Sequence, residues 1–329
     1  MKIVVMGAGA IGSLYGGMLC LAGNSEVILV GRRPHVEAIR ASGLKLKGVL
    51  GDRTIHLDAT DDPRQVTKAD IVFITTKTYD TLTAASRVRH LAKGGAYIIV
   101  LQNGLGTEEE VEKALSTTRV LRATTCMGAL VTAPGEVTVT GQGLTEIGSH
   151  HPVNIEMVER IGVMLRNAGF ETETSENIDG VVWTKTIVNC AVNPVGALTG
   201  LTNGKIYNNK ALRGLVLRLV KEAAKVAEAL KVNLTTKDPI RYTLGTAKAT
   251  GGNINSMLQD IRAKKRTEID SITGEVIRLA QQFGIETPVS ESVYALVKAL
   301  ESEYLRGSGS RSSADSVSFE EIPEVTSSS

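Results

Sequence analysis

The sequence has few cysteines, few aromatic residues and almost no excess of charge. Its 329 residues include three cysteines, at positions 20, 126 and 190, which are too scattered for a disulfide framework or a zinc site. This usage is typical of a reduced, cytoplasmic protein. Aromatic residues make up 4% of the chain, which argues against stacking platforms for single-stranded nucleic acid. The net charge of +2 gives no reason to expect nucleic acid or a membrane surface as a partner.

Long apolar runs are also missing. No stretch approaches the roughly 18 residues of a membrane-spanning helix, and glycines interrupt the apolar N-terminus, so we predict neither a membrane span nor a signal peptide. The one basic cluster, Lys264-Lys265-Arg266, is better explained as a solvated helix face than as a nucleic-acid site. We expect no bound metal, because the histidines lack metal-ligand spacing, and we interpret all five as surface residues: His35, His56, His90, His150 and His151.

The N-terminus carries the most informative motif. Lys2–Met6 is a short apolar run that predicts a buried parallel strand, and Gly7-Ala8-Gly9-Ala10-Ile11-Gly12 follows it directly, at the start of a predicted helix. This is the G-x-G-x-x-G fingerprint of dinucleotide-binding proteins in its strand–turn–helix context. Gly7 would permit the tight turn, Gly9 would let a pyrophosphate approach the backbone, and Gly12 would let the helix pack closely. The free N–H groups of the helix N-terminus favour a phosphate there.

Three further predicted strands end at polar residues. The second strand is followed by Arg32 and Arg33, where an NAD-specific site usually carries an acidic residue, and an arginine instead suits the 2′-phosphate of NADPH. Two later strands are followed by Lys77 and by Asn103. Because the carboxyl ends of parallel strands meet at one edge of a sheet, we expect these residues beside the glycine loop. Solvated loop charges and ordinary turn residues are the alternative explanation.

The character of the chain changes near residue 173. The composition is ordinary for a globular protein, with 42% hydrophobic and 22% charged residues, and the length allows about two domains. Residues 1–173 alternate strand and helix signals, which predicts an α/β, Rossmann-type dinucleotide-binding domain. Residues 174–306 carry helical periodicity with few strand signals, which predicts an all-helical C-terminal domain. Residues 307–329 are serine-rich and acidic, and we predict a flexible tail.

Two stretches of the helical part combine polar residues with helical spacing. Lys185, Asn189 and Asn193 are spaced i, i+4 and i+8, which places them on one helix face. Apolar neighbours flank this stripe and asparagine is a poor interior helix former, so the pattern favours a lined cavity over an ordinary amphipathic helix. Further along, we predict a helix with Ser256 as its N-cap and with Glu268 three turns later on the same helix.

Together these motifs resemble the ketopantoate reductase family. The likeness rests on the glycine loop, on Trp183-x-Lys-x-x-x-Asn-x-x-x-Asn-Pro194, and on Asn253-x-x-Ser-Met-x-x-Asp260 with the later Thr267-Glu-Ile-Asp270. These motifs stand in family order, and the resemblance covers nearly all of residues 1 to 305. It implies a Rossmann domain followed by a helical domain, with the active site in the cleft. It also implies NADPH-dependent reduction of ketopantoate to pantoate, on the route to pantothenate and coenzyme A.

The resemblance also implies individual roles. Lys185 matches the catalytic lysine, and Glu268 matches a substrate-binding position. We expect both to be catalytic, with Lys185 as the general acid and with Glu268 holding the terminal hydroxyl of the substrate and orienting Lys185. Arg32 matches the 2′-phosphate arginine, although an extra residue before the second strand leaves Arg33 as the alternative. The implied cofactor-binding residues are Gly7, Ala8, Gly9, Ala10, Ile11, Gly12, Arg32, Lys77 and Asn103. The implied substrate-binding residues are Lys185, Asn189, Asn193, Asn203, Asn253, Ser256 and Glu268.

Two other functions remain compatible with the sequence. Related reductases act on other 2-oxo acids, and a catalytic lysine does not distinguish among them. A nucleotide-binding sensor could use the same fold without turnover, although intact Lys185 and Glu268 argue against it. We expect a small 2-oxo acid as the partner molecule. The oligomeric state stays open, with a homodimer among the candidates.

Overall fold

The computed structural model describes residues 1–305, so the predicted tail at 307–329 lies outside the described residues. Contacts divide the chain into two compact units. The first comprises Met1–Val188 with Ala227–Tyr242, and the second comprises Asn189–Val226 with the chain from Thr243 onward. The domain boundary at residue 173 stays a prediction.

The first unit is built on parallel strands and the helices that connect them. Its strands are β1 (Lys2–Met6), β2 (Glu26–Val30), β3 (Leu44–Gly48), β4 (Arg53–Ile55), β5 (Asp58–Thr60), β6 (Ile71–Ile74), β7 (Tyr97–Val100), β8 (Val120–Thr125), β9 (Gly128–Ala133), β10 (Glu136–Gly141), β11 (Thr145–Gly148) and β12 (Thr172–Ser175). Its helices are α1 (Ala10–Leu21), α2 (Arg33–Ser42), α3 (Thr81–Lys93), α4 (Thr107–Leu115), α5 (Ile155–Asn167) and the first half of α6 (Ile178–Thr199).

Eight strands form the main sheet, in the order β12-β11-β8-β7-β6-β1-β2-β5. All neighbours are parallel except β8 and β11, which run antiparallel. A second sheet has the order β4-β3-β10-β9, in which β3 and β4 form an antiparallel hairpin around Gly51. The parallel sheet and the helices between its strands confirm the predicted α/β class.

Helices cover both faces of the main sheet, which explains why its central strands are apolar throughout. Ile3 and Val5 of β1 belong to one buried cluster with Leu14 of α1, whereas Val4 belongs to another with Val88 of α3. This alternation follows from the two-residue period of a strand. It holds β1 between two layers of helix, and the loop after β1 therefore starts from a rigid element.

The second unit is helical within the described residues, as predicted. It contains the last part of α6, which continues through Pro194 and so extends beyond the motif that predicted it. The other helices are α7 (Asn203–Asn208), α8 (Lys210–Ala229), α9 (Pro239–Ala249), α10 (Ser256–Arg262), α11 (Glu275–Gln282) and α12 (Pro288–Leu305). Parts of α8 and α9 belong to the first unit.

The prediction of one helix carrying both Ser256 and Glu268 is wrong. Helix α10 ends at Arg262, because Lys264 adopts a left-handed conformation with φ of +50°. The N–H of Lys265 then bonds to the carbonyl of Asp260 at 2.9 Å, which is the bond of a Schellman helix end. Glu268 lies beyond this break, just before a π-helical turn at residues 270–274.

The prediction that all histidines are surface residues is also wrong. His35 is 8% exposed, and its two ring nitrogens lie 3.1 Å from the hydroxyl of Ser13 and 3.0 Å from the N–H of Gly135. Burial lowers the pKa of His35. No helix in residues 1–305 is both long and apolar enough to cross a membrane. In the same residues there is no group of three or more His, Cys, Asp or Glu side chains placed to hold a metal ion.

Candidate active site

The glycine loop has the geometry that its sequence predicts. Gly7 has a φ of +117°, a conformation that disfavours other residues, and a Cβ there would lie 2.6 Å from the backbone nitrogen of Thr76. A Cβ at Gly12 would overlap the carbonyl oxygen of Gly7, so α1 can approach the end of β1 only with glycine at this position. The hydroxyl of Thr75 donates to the carbonyl oxygen of Gly7 at 2.8 Å and so links the ends of β1 and β6.

Gly9 is the N-cap of α1 and contributes no capping side chain. It is exposed, and a Cβ built on it would meet only one atom, 3.9 Å away. The first N–H groups of a helix have no partner within the helix, and the helix dipole adds positive potential there. The start of α1 therefore offers backbone donors beside an open surface, which fits the pyrophosphate of a dinucleotide.

The other predicted cofactor residues follow neighbouring strands of the main sheet. Arg32 comes after β2, Lys77 after β6 and Asn103 after β7. Since these strands and β1 are mutually parallel, their carboxyl ends share one edge of the sheet. The structure thus brings Arg32, Lys77 and Asn103 to the edge that holds the glycine loop, as the sequence predicts.

Arg32 and Arg33 differ in what they contact. Arg33 is the first residue of α2, and its Nε lies 2.7 Å from the carboxylate of Glu37 one turn later. Arg32 precedes the helix in an extended conformation and is exposed. An arginine already paired within its own helix is the poorer phosphate ligand, so this difference favours Arg32 over Arg33 as the residue at the end of β2.

The turn that carries Asn103 is fixed by its neighbour Gln102. The Gln102 side chain is 6% exposed, donates to the carbonyl of Thr76 at 2.8 Å and accepts from the hydroxyl of Thr81 at 3.1 Å. These bonds join the end of β7 to the segment after β6. Asn103 therefore stands on a turn held by two neighbouring elements.

Lys185 reaches the same edge of the sheet from α6. Its Nζ donates to the carbonyl oxygen of Thr125, the last residue of β8, at 2.6 Å. Strand β8 lies parallel to β7, so this carbonyl is at the carboxyl end of the next strand along. Across the edge the order is Lys185, Asn103, Lys77, the glycine loop and Arg32. With a strand spacing of about 4.8 Å, β8 and β2 are about 19 Å apart.

Sequence reasoning did not identify the residues that support Lys185. Tyr15 is fully buried and donates to the hydroxyl of Thr125 at 2.8 Å, and its hydroxyl also contacts that of Thr145. Burial raises the pKa of Tyr15 to about 12, so it stays a neutral donor. Burial also raises the pKa of Glu146 and the carboxylate of Glu173 adds to the rise, while the charge of Lys185 opposes it. The signal that could have found them is the end of strand β8 at Thr125, because the carboxyl ends of parallel strands meet at one edge of the sheet.

Several predicted substrate residues lie close together within the second unit. The N–H of Asn203 donates to the carbonyl of Asn253 at 3.1 Å, and its side-chain amide donates to Thr250 at 2.9 Å. Its side-chain oxygen is buried and accepts no hydrogen bond from the described residues. Asn255 donates to the carbonyl of Val192 at 3.4 Å, which places the start of α10 against α6 next to Asn193.

The remaining residues of this group have different surroundings. The N-cap of α10 is Asn255 rather than Ser256, because the side-chain oxygen of Asn255 accepts from the N–H of Leu258 at 3.0 Å. Ser256 is the first helical residue, and its hydroxyl does not cap the helix. Glu268 is 6% exposed, and Asn189 is half-buried on α6. The roles assigned to these side chains stay predictions.

Comparison with known proteins gives two matches to family models. The model described as ketopantoate reductase PanE/ApbA matches residues 3–152, and the model of its C-terminal domain matches residues 177–301. The chain is 37% identical over 301 residues to the 2-dehydropantoate 2-reductase of Pyrococcus abyssi, covering 92% of this chain and 98% of the relative. It is 39% identical over 304 residues to the enzyme of the same name from Pyrococcus horikoshii, with the same coverage.

Solved structures show the same likeness. A PanE/ApbA family ketopantoate reductase from Ralstonia eutropha superposes with a TM-score of 0.84 at 33% identity, covering 93% of this chain and 100% of the other. A D-mandelate dehydrogenase solved with NADH and anilino(oxo)acetate superposes with a TM-score of 0.86 at 25% identity, covering 93% and 99%.

Proposed function

Because the chain belongs to the ketopantoate reductase PanE/ApbA family, we propose that it reduces 2-dehydropantoate to (R)-pantoate with NADPH as the hydride donor. The observation that carries this proposal is the row of residues along the carboxyl ends of five parallel strands. The row begins with an arginine, continues with an anion-binding loop and ends with Lys185. The product would enter the route to pantothenate and coenzyme A.

The proposed preference for NADPH rests on the end of β2. No acidic residue stands there to bind the ribose hydroxyls, whereas Arg32 offers a planar fork of donors that suits a phosphate. The glycine loop supports a pyrophosphate in the middle of the row. A dinucleotide bound along this row would have its reactive end near Asn103 and Lys185. When bound, the cofactor supplies the hydride.

Lys185 is the proposed general acid. Reduction of a ketone develops negative charge on its oxygen, and an ammonium group near that oxygen stabilises the charge and delivers the proton from Nζ. The carbonyl of Thr125 holds Nζ through one of its three N–H groups. The backbone of β8 therefore fixes the position of the ammonium group.

The substrate-binding roles are proposed for the polar side chains of the second unit. Glu268 would accept a hydrogen bond from the terminal hydroxyl of the substrate. The amide of Asn193 and the hydroxyl of Ser256 would donate to its carboxylate. A site built to bind a hydroxyl discriminates against analogues that lack it, by up to roughly 10⁴-fold. The buried oxygen of Asn203 is a further acceptor of the right kind.

A second candidate is the reduction of a different 2-oxo acid. It is favoured by the likeness to D-mandelate dehydrogenase, whose TM-score is as high as that of the ketopantoate reductases. That relative was solved with NADH, whereas Arg32 in this chain favours NADPH. The two candidates share the fold, the glycine loop and Lys185, and differ in the substrate.

The experiment that separates them measures NADPH and NADH oxidation with three acids. These are ketopantoate, its analogue without the hydroxyl, and a phenyl-substituted 2-oxo acid. We expect turnover with ketopantoate and a loss of several hundredfold or more in kcat/KM with the deoxy analogue. Preference for the phenyl acid would support the second candidate function and would leave the assigned fold and cofactor unchanged. Silence with all three acids, while NADPH still binds, would indicate a nucleotide sensor.

A further inference from the structure

A line of charged side chains in the first unit has no part in the proposed chemistry. Arg122, on β8, is 2% exposed, and its guanidinium donates to the carbonyl oxygens of Val100 at 3.3 Å and of Gly104 at 2.9 Å. Its Nε lies 3.3 Å from the carboxylate of Glu108 on α4. A buried charge is costly unless it is paired, so these contacts fix the guanidinium in one position.

His150 continues this line. It follows β11, and its Nε2 lies 3.7 Å from the carboxylate of Glu108 and 2.9 Å from that of Asp179. Neither contact is aligned for a hydrogen bond, and both become ion pairs when the ring is protonated. The carboxylate of Glu108 is buried, whereas the side chain of Asp179 is 66% exposed.

One end of this line binds a turn that carries a proposed active-site residue, and the other end lies on a helix that carries one. Arg122 binds the carbonyls on both sides of the turn that contains Asn103. Asp179 lies in the first turn of α6, six residues before Lys185, which corresponds to about 9 Å along the helix axis. The line therefore connects the turn of Asn103 to the helix of Lys185 through side chains.

We propose that His150 and Asp179 are positioning residues of the reductase, which hold the turn of Asn103 and the helix of Lys185 in one fixed arrangement. The inference rests on the proposed function, because that reaction is what requires the two elements to be aligned. Alignment matters for the rate, since a displacement of about 1 Å can cost roughly 100-fold. Neither residue needs to touch the substrate.

The charge on His150 decides how strong the line is. The contact with Asp179 raises the pKa of His150 from 6.5 to about 9, with burial opposing the rise and with Glu108 and Glu109 adding to it. The same contact lowers the pKa of Asp179. Burial and Glu108 raise the pKa of Glu109, and the charges of His150 and Arg122 oppose that rise. The ring is charged at neutral pH, and the line weakens as the pH rises through about 9.

The next residue in the sequence offers a matched control. The Nε2 of His151 lies 2.8 Å from the carboxylate of Glu112, which is also on α4. This pair joins the segment after β11 to α4 and does not include α6. The variant His151→Gln thus removes a histidine–carboxylate contact of similar length while leaving the line intact.

The test compares His150→Gln, His151→Gln and the unchanged protein in ketopantoate reduction from about pH 7 to about pH 10. Glutamine is polar but uncharged, so it resembles the neutral ring at every pH. We expect kcat of His150→Gln to be about tenfold below that of the unchanged protein at neutral pH, with KM for NADPH unchanged. The ratio of the two kcat values should rise towards one above about pH 9, because the unchanged protein then loses the same charge.

The pH dependence of this ratio separates positioning from simple packing. A group that titrates in the same way in both proteins cancels in the ratio. A structural defect lowers the ratio equally at every pH, and that result would overturn the proposal, as would a ratio of one at neutral pH. His151→Gln should give a ratio near one throughout, and Asp179→Asn should behave like His150→Gln.

Amide hydrogen exchange makes the test independent of the proposed function. Peptides covering residues 101–106 and 178–188 should exchange faster in His150→Gln than in the unchanged protein at neutral pH, and His151→Gln should show no such change. If ketopantoate is not reduced but this difference is present, the proposed function fails and the line stands. If ketopantoate is reduced but exchange is the same in all three proteins, the positioning role of His150 is refuted and the proposed function stands.

Discussion

Replacing Arg32 with alanine should separate NADPH from NADH. Arg32 stands at the end of β2 in the proposed site of the 2′-phosphate. A hydrogen bond to a charged group contributes about 1.5–3 kcal/mol, and the exposure of this side chain favours the lower half of that range. With about 1.36 kcal/mol for each factor of ten, the loss corresponds to a rise of roughly 10- to 50-fold in KM for NADPH. NADH lacks the phosphate, so its KM should change by less than about twofold.

Arg33→Ala is the matched control for this prediction. It removes the same charge from the neighbouring position, but Arg33 is paired with Glu37 within α2. We expect its KM for NADPH to change by less than about threefold, since an exposed charge one residue away acts only through screened electrostatics. Steady-state kinetics with both cofactors measure all four values. Equal effects of Arg32→Ala on NADPH and NADH, or a larger effect of Arg33→Ala, would refute the assignment.

Three further predictions concern stability. Gly12→Ala places a Cβ against the backbone, so it should cost about 1–3 kcal/mol of unfolding free energy and weaken NADPH binding. Gly214→Ala, which has open space on α8, should be neutral or stabilising. Equal denaturation midpoints for the two variants would contradict this prediction. Because the pKa of His150 is raised, its contribution to the free energy of unfolding is fully present below pH 6.5 and is lost as the pH rises through about 9. Its carboxylate partner Asp179 is 66% exposed, so we expect the unfolding free energy to fall by about 1 kcal/mol over this range. Urea unfolding at several pH values measures this loss, which should be absent in His150→Gln. Asn255→Ala should lower the unfolding free energy by about 1 kcal/mol, because the N-cap is lost. Ser256→Ala should change it by less than about 0.5 kcal/mol and should raise KM for ketopantoate. A larger loss of stability in Ser256→Ala than in Asn255→Ala would show that Ser256 is the cap.

The edge of the sheet that holds the glycine loop could be predicted because its sequence signals are local. An apolar run, a glycine fingerprint and a polar residue after each strand are all readable within a few positions. The rule that parallel strands end at one edge then assembles Arg32, Lys77 and Asn103 without any knowledge of packing. The spacing of Lys185 placed it on a helix face, but its contact with Thr125 joins residues 60 positions apart and has no local signal.

Helix ends were harder to predict than helices. The break after Arg262 depends on a lysine with positive φ, a conformation usually marked in sequences by glycine or asparagine. The N-cap moved by one residue, from Ser256 to Asn255, because both residue types can cap and the choice depends on which side chain meets the N–H of Leu258. Local propensity is nearly the same for both outcomes, so the surrounding structure decides.

The line of charged side chains from Arg122 to Asp179 could not be predicted for a different reason. Arg122, Glu108, His150 and Asp179 lie in four separate segments, and each is ordinary where it stands in the sequence. Helix α4, which carries Glu108, begins after Gly106 and has three acidic residues in its first turn, a signal that sequence analysis could have used. Only the tertiary structure brings these side chains together.

The role of Lys185 is the central claim, and the most direct measurement is kcat for ketopantoate in Lys185→Ala beside the dissociation constant for NADPH. We predict a loss of roughly 10²–10⁴-fold in kcat, because the group that stabilises the developing charge and supplies the proton is gone. The dissociation constant should change by less than about threefold, and Lys225→Ala, which removes an exposed lysine of α8, should leave both quantities unchanged. A Lys185→Ala enzyme with near-normal kcat would contradict the account.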